Sequence, residues 1–170
     1  MKPRECLSIP QAVNQDAMRM RPFEQRGLTQ GEIGLGQSLF ADEIDWALVG
    51  VLQAPALGFG AMVPLGRAIV FSKWRAWRDF AAAPLAEQGW FAHELAHVWQ
   101  AARGVTLALA KLNALGAKAY AYAPRAGAAL KHYNIERQAE IVRHLLLARA
   151  GAPEPGAPAH AWLEDIWRRR

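Results

Sequence analysis

Residues 91–100 read FAHELAHVWQ, and within them His93-Glu94-Leu95-Ala96-His97 places two histidines four residues apart. On a helix, residues four apart lie on one face, so both imidazoles can bind the same metal ion. Glu94 is turned by about 100° from His93, so its carboxylate can reach a water molecule on the open side of the metal. The stretch therefore predicts a Zn²⁺ site in which Glu94 acts as the general base.

The surroundings of this pattern indicate a long amphipathic helix. Pro84 fits its first turn and Gly104 its end. The short pattern also occurs by chance, in which case the histidines would be partly buried core residues beside a surface glutamate. The regular helical context favours the metal site. The apolar stripe consists of Leu85, Phe91, Leu95, Val98 and Ala102.

A catalytic zinc ion needs a third protein ligand and one open position. Residues 133–145, YNIERQAEIVRHL, supply Glu136 and Glu140 on one face of a second predicted helix. One carboxylate can bind the metal, and the other can accept a hydrogen bond from a ligand histidine and fix its tautomer. We place Glu136 ahead of Glu140 as the ligand.

Two alternatives remain open for this second helix. Glu140 can form an ordinary surface pair with Arg143 or His144, in which case the carboxylates are only solvated. His132 and His144 are rival third ligands. We rank both histidines after Glu136 and Glu140.

HELAHVWQ followed by NIERQAE resembles the gluzincin arrangement, in which one helix carries HExxH and a later helix supplies a glutamate. The resemblance implies Glu136 as ligand and Glu140 as the residue that orients a histidine, although many relatives have aspartate at the second position. More narrowly, the chain from about Leu28 to Leu147 resembles short bacterial zinc metallopeptidases, some of them labelled Vgr-related. That label carries no defined substrate.

The remaining pattern predicts an α+β class, a small single-domain zincin-like fold with a metal-binding helix, a small sheet and a following Glu-bearing helix. Thr29-Gln30-Gly31-Glu32 is a capping box that starts a helix. Short apolar runs bounded by turn residues indicate strands. Beyond the metal helix, we expect a helix at 30–40 or 30–44, strands at 47–53 and 67–72, and helices at 134–151 and 160–169.

We divide the chain into a poorly ordered basic arm at residues 1–26, the metallopeptidase domain at 27–152, and a linker with a short helix at 153–170. Cys6 is the single cysteine, so no intrachain disulfide can form. The first residues lack an apolar run of signal-peptide length. We therefore expect a cytoplasmic protein, or one exported by a route without a signal peptide.

Residues 46–66 carry no charge and have the length of a membrane span. Pro55, Pro64 and four glycines interrupt the stretch, which favours strands and loops. We therefore expect no membrane span.

The function that these residues favour is a zinc-dependent peptidase-like hydrolase acting on a protein or peptide. Tyr133 and Tyr122 are candidate oxyanion donors, with Tyr120 as a further one. The strand at 67–72 could present its edge to an extended substrate, or it could equally be an interior strand.

Two other functions are considered. One is a basic nucleic-acid-associated protein with weak DNA binding, based on KWRAWRD at residues 73–79, the net charge of +5 and the pI of about 9.8. The other is a zinc-stabilised regulatory or structural domain with little turnover. The sequence does not indicate an oligomeric state.

Overall fold

The computed structural model describes residues 15–55, 60–72, 75–112 and 119–170. These residues form a single α+β domain, as the sequence predicts. Its helices are α1 (Gln30–Phe40), α2 (Leu85–Ala102), α3 (Leu107–Leu112), α4 (Ile135–Arg149) and α5 (His160–Arg168), and its strands are β1 (Gln25–Gly27), β2 (Gly50–Gln53), β3 (Ala61–Met62) and β4 (Ala68–Phe71).

The four strands form one sheet in the order β1-β2-β4-β3. The central strands β2 and β4 run parallel, with Val51 opposite Ile69, and both side chains are fully buried. The outer strands pair antiparallel to their neighbours. Because β3 pairs with β4 at Val70 and Phe71, β4 is an interior strand at these two residues, which is one of the two alternatives that the sequence left open for residues 67–72.

The capping box at the start of α1 forms as predicted, and its glutamate also connects distant parts of the fold. Glu32 is fully buried. Its two carboxylate oxygens accept hydrogen bonds from the Arg26 guanidinium at 2.6 and 2.7 Å, and from the backbone N–H groups of Thr29 and Phe80, both at 2.8 Å. One side chain therefore ties β1 and α1 to the segment that leads into α2.

Helices α2 and α4 pack along each other, and α3 packs against both. Gly89 permits this close approach, since a β-carbon there would lie 3.1 Å from Leu147 Cδ2. At the other end of the contact, Gln100 donates a hydrogen bond to the Ile135 carbonyl at 2.9 Å. This pairing fixes the start of α4 beside the metal-motif helix.

The ends of the ordered domain differ from the predicted boundaries. Residues 1–14 lie outside the described part of the chain, but residues 15–26 are placed in the fold, with Met20 buried and β1 paired to β2. The C-terminal helix α5 also belongs to the core. Its buried Trp167 donates a hydrogen bond to the Leu39 carbonyl at 3.1 Å.

The uncharged stretch at 46–66 forms a 3₁₀ turn, β2 and β3, with residues 56–59 outside the described chain. Across the ranges that the structure describes, none of the helices is both long and apolar enough to cross a membrane.

We predict that Glu32→Ala lowers the free energy of unfolding by about 3–5 kcal/mol, because it leaves the Arg26 guanidinium and the Phe80 N–H without their partner. Urea denaturation measures the loss. Asp165→Ala serves as the control, since Asp165 pairs with Arg169 on an exposed helix face and such pairs contribute about 1 kcal/mol or less. Equal effects of the two substitutions would contradict the role given to Glu32.

Candidate metal centre

Three predicted ligands meet between α2 and α4. His93 and His97 stand one turn apart on α2, and Glu136 lies in the first turn of α4. Glu136 Oε2 lies 3.4 Å from His93 Nε2 and 3.2 Å from His97 Nε2. All three residues are buried, and their candidate ligand atoms lie within 4.8 Å of one another. These residues could hold a metal ion.

The Nδ1 atom of each of these two histidines contacts a further polar side chain. His93 Nδ1 lies 3.1 Å from Glu140 Oε2, and His97 Nδ1 lies 2.8 Å from Gln100 Oε1. The Gln100 amide nitrogen already donates to the Ile135 carbonyl, so its oxygen is the acceptor for His97. Both partners are therefore acceptors, which places a proton on each Nδ1 and directs each Nε2 toward the cluster.

Two of the separations between the candidate ligand atoms fit a metal ion in tetrahedral coordination, as zinc binding illustrates. Zinc–ligand bonds of about 2.0–2.1 Å at tetrahedral angles place neighbouring ligand atoms about 3.3 Å apart. The observed separations of 3.2 and 3.4 Å between Glu136 Oε2 and the two Nε2 atoms match this spacing. Two imidazoles and one carboxylate also suit the ion chemically and leave one position open.

Glu94 lies beside this cluster without belonging to the set of three. It is 4% exposed, and its Oε2 atom has no hydrogen-bond partner among the residues that the structure describes. A buried carboxylate oxygen without a partner is costly and calls for a ligand or water. Burial lowers the pKa of His93, whereas its hydrogen bonds to Glu136 and Glu140 and the negative charge of Glu94 raise it.

Hydrogen bonds between the histidines and the nearby carboxylates shift the pKa values of the cluster. Burial alone would lower the pKa of His93, but hydrogen bonds to Glu136 and Glu140 outweigh burial and raise it to about 9. Burial raises the pKa of Glu136, yet hydrogen bonds from His93 and His97 bring it well below its usual value. The pKa of Glu140 is lowered in the same way. Burial raises this pKa, but the hydrogen bond and the charge of His93 outweigh burial. With a pKa of about 9, His93 is protonated at neutral pH and pairs with the two ionised glutamates.

The two favoured oxyanion donors each have a partner outside the group of three. The Tyr133 hydroxyl donates to the Ala123 carbonyl at 2.9 Å, and the Tyr122 hydroxyl lies 2.6 Å from His144 Nδ1. The role of oxyanion donor stays a prediction for both. Tyr120 is the tyrosine beside the cluster, with its half-exposed ring 6.0 Å from the His93 ring.

The rival histidine ligands lie elsewhere. His132 is exposed and accepts a hydrogen bond from the Ala129 N–H at 3.1 Å. His144 contacts Tyr122 and lies 3.4 Å from Glu140 Oε1. Neither histidine joins the group of three, and Glu140 is in contact with His93 as well as with its surface neighbours.

Sequence reasoning missed two residues at the site. Gln100 follows His97 by three residues, a spacing that places both on one helix face and could have revealed the contact. Lys111 Nζ lies 3.5 Å from Glu136 Oε1. No sequence signal identifies Lys111, because the contact depends on how α3 packs against α4.

The described part of the basic stretch at 73–79 has exposed arginines that also contact other residues of the protein, and weak DNA binding stays a prediction. Lys73 and Trp74 lie outside the described residues. Trp77 is buried, Arg78 pairs with Glu24 at 3.0 Å, and the Arg75 guanidinium lies 5.0 Å from the centre of the Trp90 ring. The remaining cations of this stretch therefore have partners within the protein.

Comparison with known proteins gives a sequence relative and a structural one. Over 134 residues the chain is 35% identical to the type VI secretion system spike protein VgrG2b of Pseudomonas aeruginosa, and the match covers 73% of this chain. The chain spans 13% of that curated relative. The solved effector domain of P. aeruginosa VgrG2b is 31% identical, with a TM-score of 0.65 over 85% of this chain and 82% of that domain.

These findings correct the family suggested by the sequence. No protein-family model matches the chain. The relatives found are a spike protein and the effector domain of that protein, and their names do not describe a zinc metallopeptidase. The assignment to short bacterial gluzincin-like metallopeptidases is therefore wrong. The candidate metal site is supported by the geometry of its residues and not by a family assignment.

We predict that zinc binding becomes tighter as the pH rises from 7 to 9. With a pKa of about 9, His93 is protonated in the metal-free protein at pH 7, and the metal requires neutral imidazole. Binding should release about one proton from His93, so the apparent affinity should rise about tenfold per pH unit below pH 9. Isothermal titration calorimetry in buffers of different ionisation enthalpy measures this release. A constant affinity from pH 7 to 8.5 would contradict the prediction.

Proposed function

The chain belongs to the family of the VgrG2b effector domain, and from this premise we propose that it is an effector domain that hydrolyses peptide bonds with a zinc ion. The relatives support an effector role in type VI secretion. The chemistry is inferred from the residues, since a fold or a family name does not by itself define a reaction. The observation that carries the proposal is the placement of Glu94, whose buried Oε2 atom has no hydrogen-bond partner, beside the buried His93, His97 and Glu136 group.

Each residue of the site has a role in this proposal. His93, His97 and Glu136 hold the ion, which when bound lowers the pKa of water toward about 7 and polarises the substrate carbonyl. Glu94 accepts a proton from the attacking water and returns it to the leaving amine. Its buried position and free Oε2 atom suit this work, because no internal hydrogen bond has to break first.

Two further residues keep the ligand histidines in the tautomer that is protonated at Nδ1. Glu140 and Gln100 each accept the Nδ1 proton of one histidine. With each Nδ1 protonated, each Nε2 would have its lone pair available to bind the ion. The glutamate at 140 is itself fixed by Arg143 and His144, so its extra methylene relative to aspartate does not prevent the contact.

A protein or peptide is the substrate class that the surroundings support. A surface groove lined by Tyr120, Tyr122, His144 and Glu154 includes Glu140, which contacts His93 directly. An extended chain lying in this groove would pass beside the metal ligands. Tyr120 is the aromatic side chain best placed to contact it, since its ring is near His93 and half-exposed.

We predict that Glu94→Gln leaves zinc content and folding nearly unchanged while turnover falls by about 10²–10⁴-fold. The amide has a similar shape but cannot accept the proton, and general-base catalysis typically contributes this factor. Casein or peptide cleavage by wild type and Glu94→Gln at equal zinc occupancy measures the effect.

The same assay separates the proposal from its rivals. Equal and readily measurable rates would mean that Glu94 is not the base. Loss of zinc in the variant would mean that the ligands are misassigned. A wild-type protein that binds zinc but cleaves no substrate would favour the zinc-stabilised regulatory domain.

We predict that Glu136→Ala weakens zinc binding more than Glu140→Ala does. Glu136 contacts both Nε2 atoms, whereas Glu140 contacts one histidine from behind, and outer partners of this kind typically change affinity by about ten- to a hundredfold. Zinc affinities measured against a chromophoric chelator give the order. His132→Ala is the control, because this exposed histidine lies outside the cluster and its loss should leave affinity unchanged. The reverse order of the two glutamate variants would exchange their roles.

A further inference from the structure

The two carboxylate oxygens of Glu136 face different partners. Oε2 lies 3.2 and 3.4 Å from the two histidine Nε2 atoms, and Oε1 lies 3.5 Å from Lys111 Nζ. The Glu136 side chain is only 5% exposed, whereas Lys111 is 34% exposed. The ammonium group therefore reaches from the surface to the buried oxygen that does not face the histidines.

The position of Lys111 follows from the packing of α3. Leu107, four residues earlier, is buried and anchors the helix against its neighbours. Residues four apart share a helix face, so the Lys111 side chain starts on the anchored side of α3 and extends toward α4. A lysine that only extended into solvent would have no reason to lie on this side of α3.

A carboxylate can bind a metal ion through one oxygen or through both. Two-oxygen binding by Glu136 would turn Oε1 away from Lys111 and leave the ammonium beside a metal ion without its partner. It would also occupy the fourth position, which a catalytic zinc site keeps open for water or substrate. Pairing with Lys111 opposes both changes.

Building on the proposed function, we propose that Lys111 is a positioning residue that keeps Glu136 bound to the metal through Oε2 alone. Lys111 acts through Glu136 and does not itself contact the substrate. The positive charge of Lys111 also offsets the negative charge of the Glu136 carboxylate. The carboxylate then donates less electron density to the bound ion. This role makes α3 part of the metal site, although α3 contributes no ligand.

The test uses Co²⁺ as the probe, because the intensity of its visible absorption falls as its coordination number rises. The purified protein is loaded with Co²⁺ as wild type, Lys111→Met and Lys111→Arg. We expect a clear loss of absorption intensity in Lys111→Met, where Oε1 is released to the metal, and a wild-type spectrum in Lys111→Arg, where the cation is retained. Lys131→Met, which removes an exposed lysine elsewhere, should also keep the wild-type spectrum.

Turnover with zinc provides the second measurement. Lys111→Met should lose about ten- to a hundredfold at equal zinc content, as changes in outer partners typically do, and Lys111→Arg should recover most of it. Circular dichroism verifies that the variants are folded, and Lys111→Gln replaces Lys111→Met if that variant is not. An unchanged spectrum in the variant that lacks the cation, or an equal change in Lys111→Arg, overturns the role of Lys111.

Failure of the underlying function gives a different result. If wild-type protein takes up no Co²⁺, the metal site itself is refuted, and the inference falls with it. If Co²⁺ binds but no substrate is cleaved, the hydrolase proposal fails, and the spectra alone still decide whether Lys111 controls how Glu136 binds.

Discussion

The contact between α2 and α4 is the constraint on which the site depends. It brings Glu136 against two histidines of the other helix and buries all three. Burying such polar groups costs free energy unless each finds a partner. Gln100 provides part of the compensation, since its amide group bonds both His97 and the Ile135 carbonyl at the start of α4. The residue that orients a histidine therefore also fixes the helix that carries the third ligand.

The features predictable from sequence are those encoded within one helix. The four-residue spacing of His93 and His97, the spacing of Glu136 and Glu140, and the capping box before α1 depend on helical geometry alone. The fold class followed because short apolar runs typical of strands come before a series of strong helices. Even the order of the two glutamates agrees with the observed contacts, as only Glu136 faces both Nε2 atoms.

The features that escaped prediction depend on contacts between distant segments. β1 and β3 are strands of three and two residues, too short for an alternating pattern to identify them. Nor could the residue types of Tyr122 and Tyr133 predict that their hydroxyls contact His144 and the Ala123 carbonyl. The family assignment drew on the metal motif and on a resemblance from about Leu28 to Leu147, and it was corrected by relatives that share identity over most of the chain.

Hydrogen bonds within the cluster also bear on what the metal contributes to folding. In the metal-free protein, protonated His93 can donate to Glu140 through Nδ1 and to Glu136 through Nε2. Protons thus satisfy the same atoms that a metal ion would. Small zinc domains often unfold without their ion because little else holds the ligands together. Here the candidate ligands lie on two long helices that share an apolar core, so the packing of these helices does not depend on the ligand contacts alone.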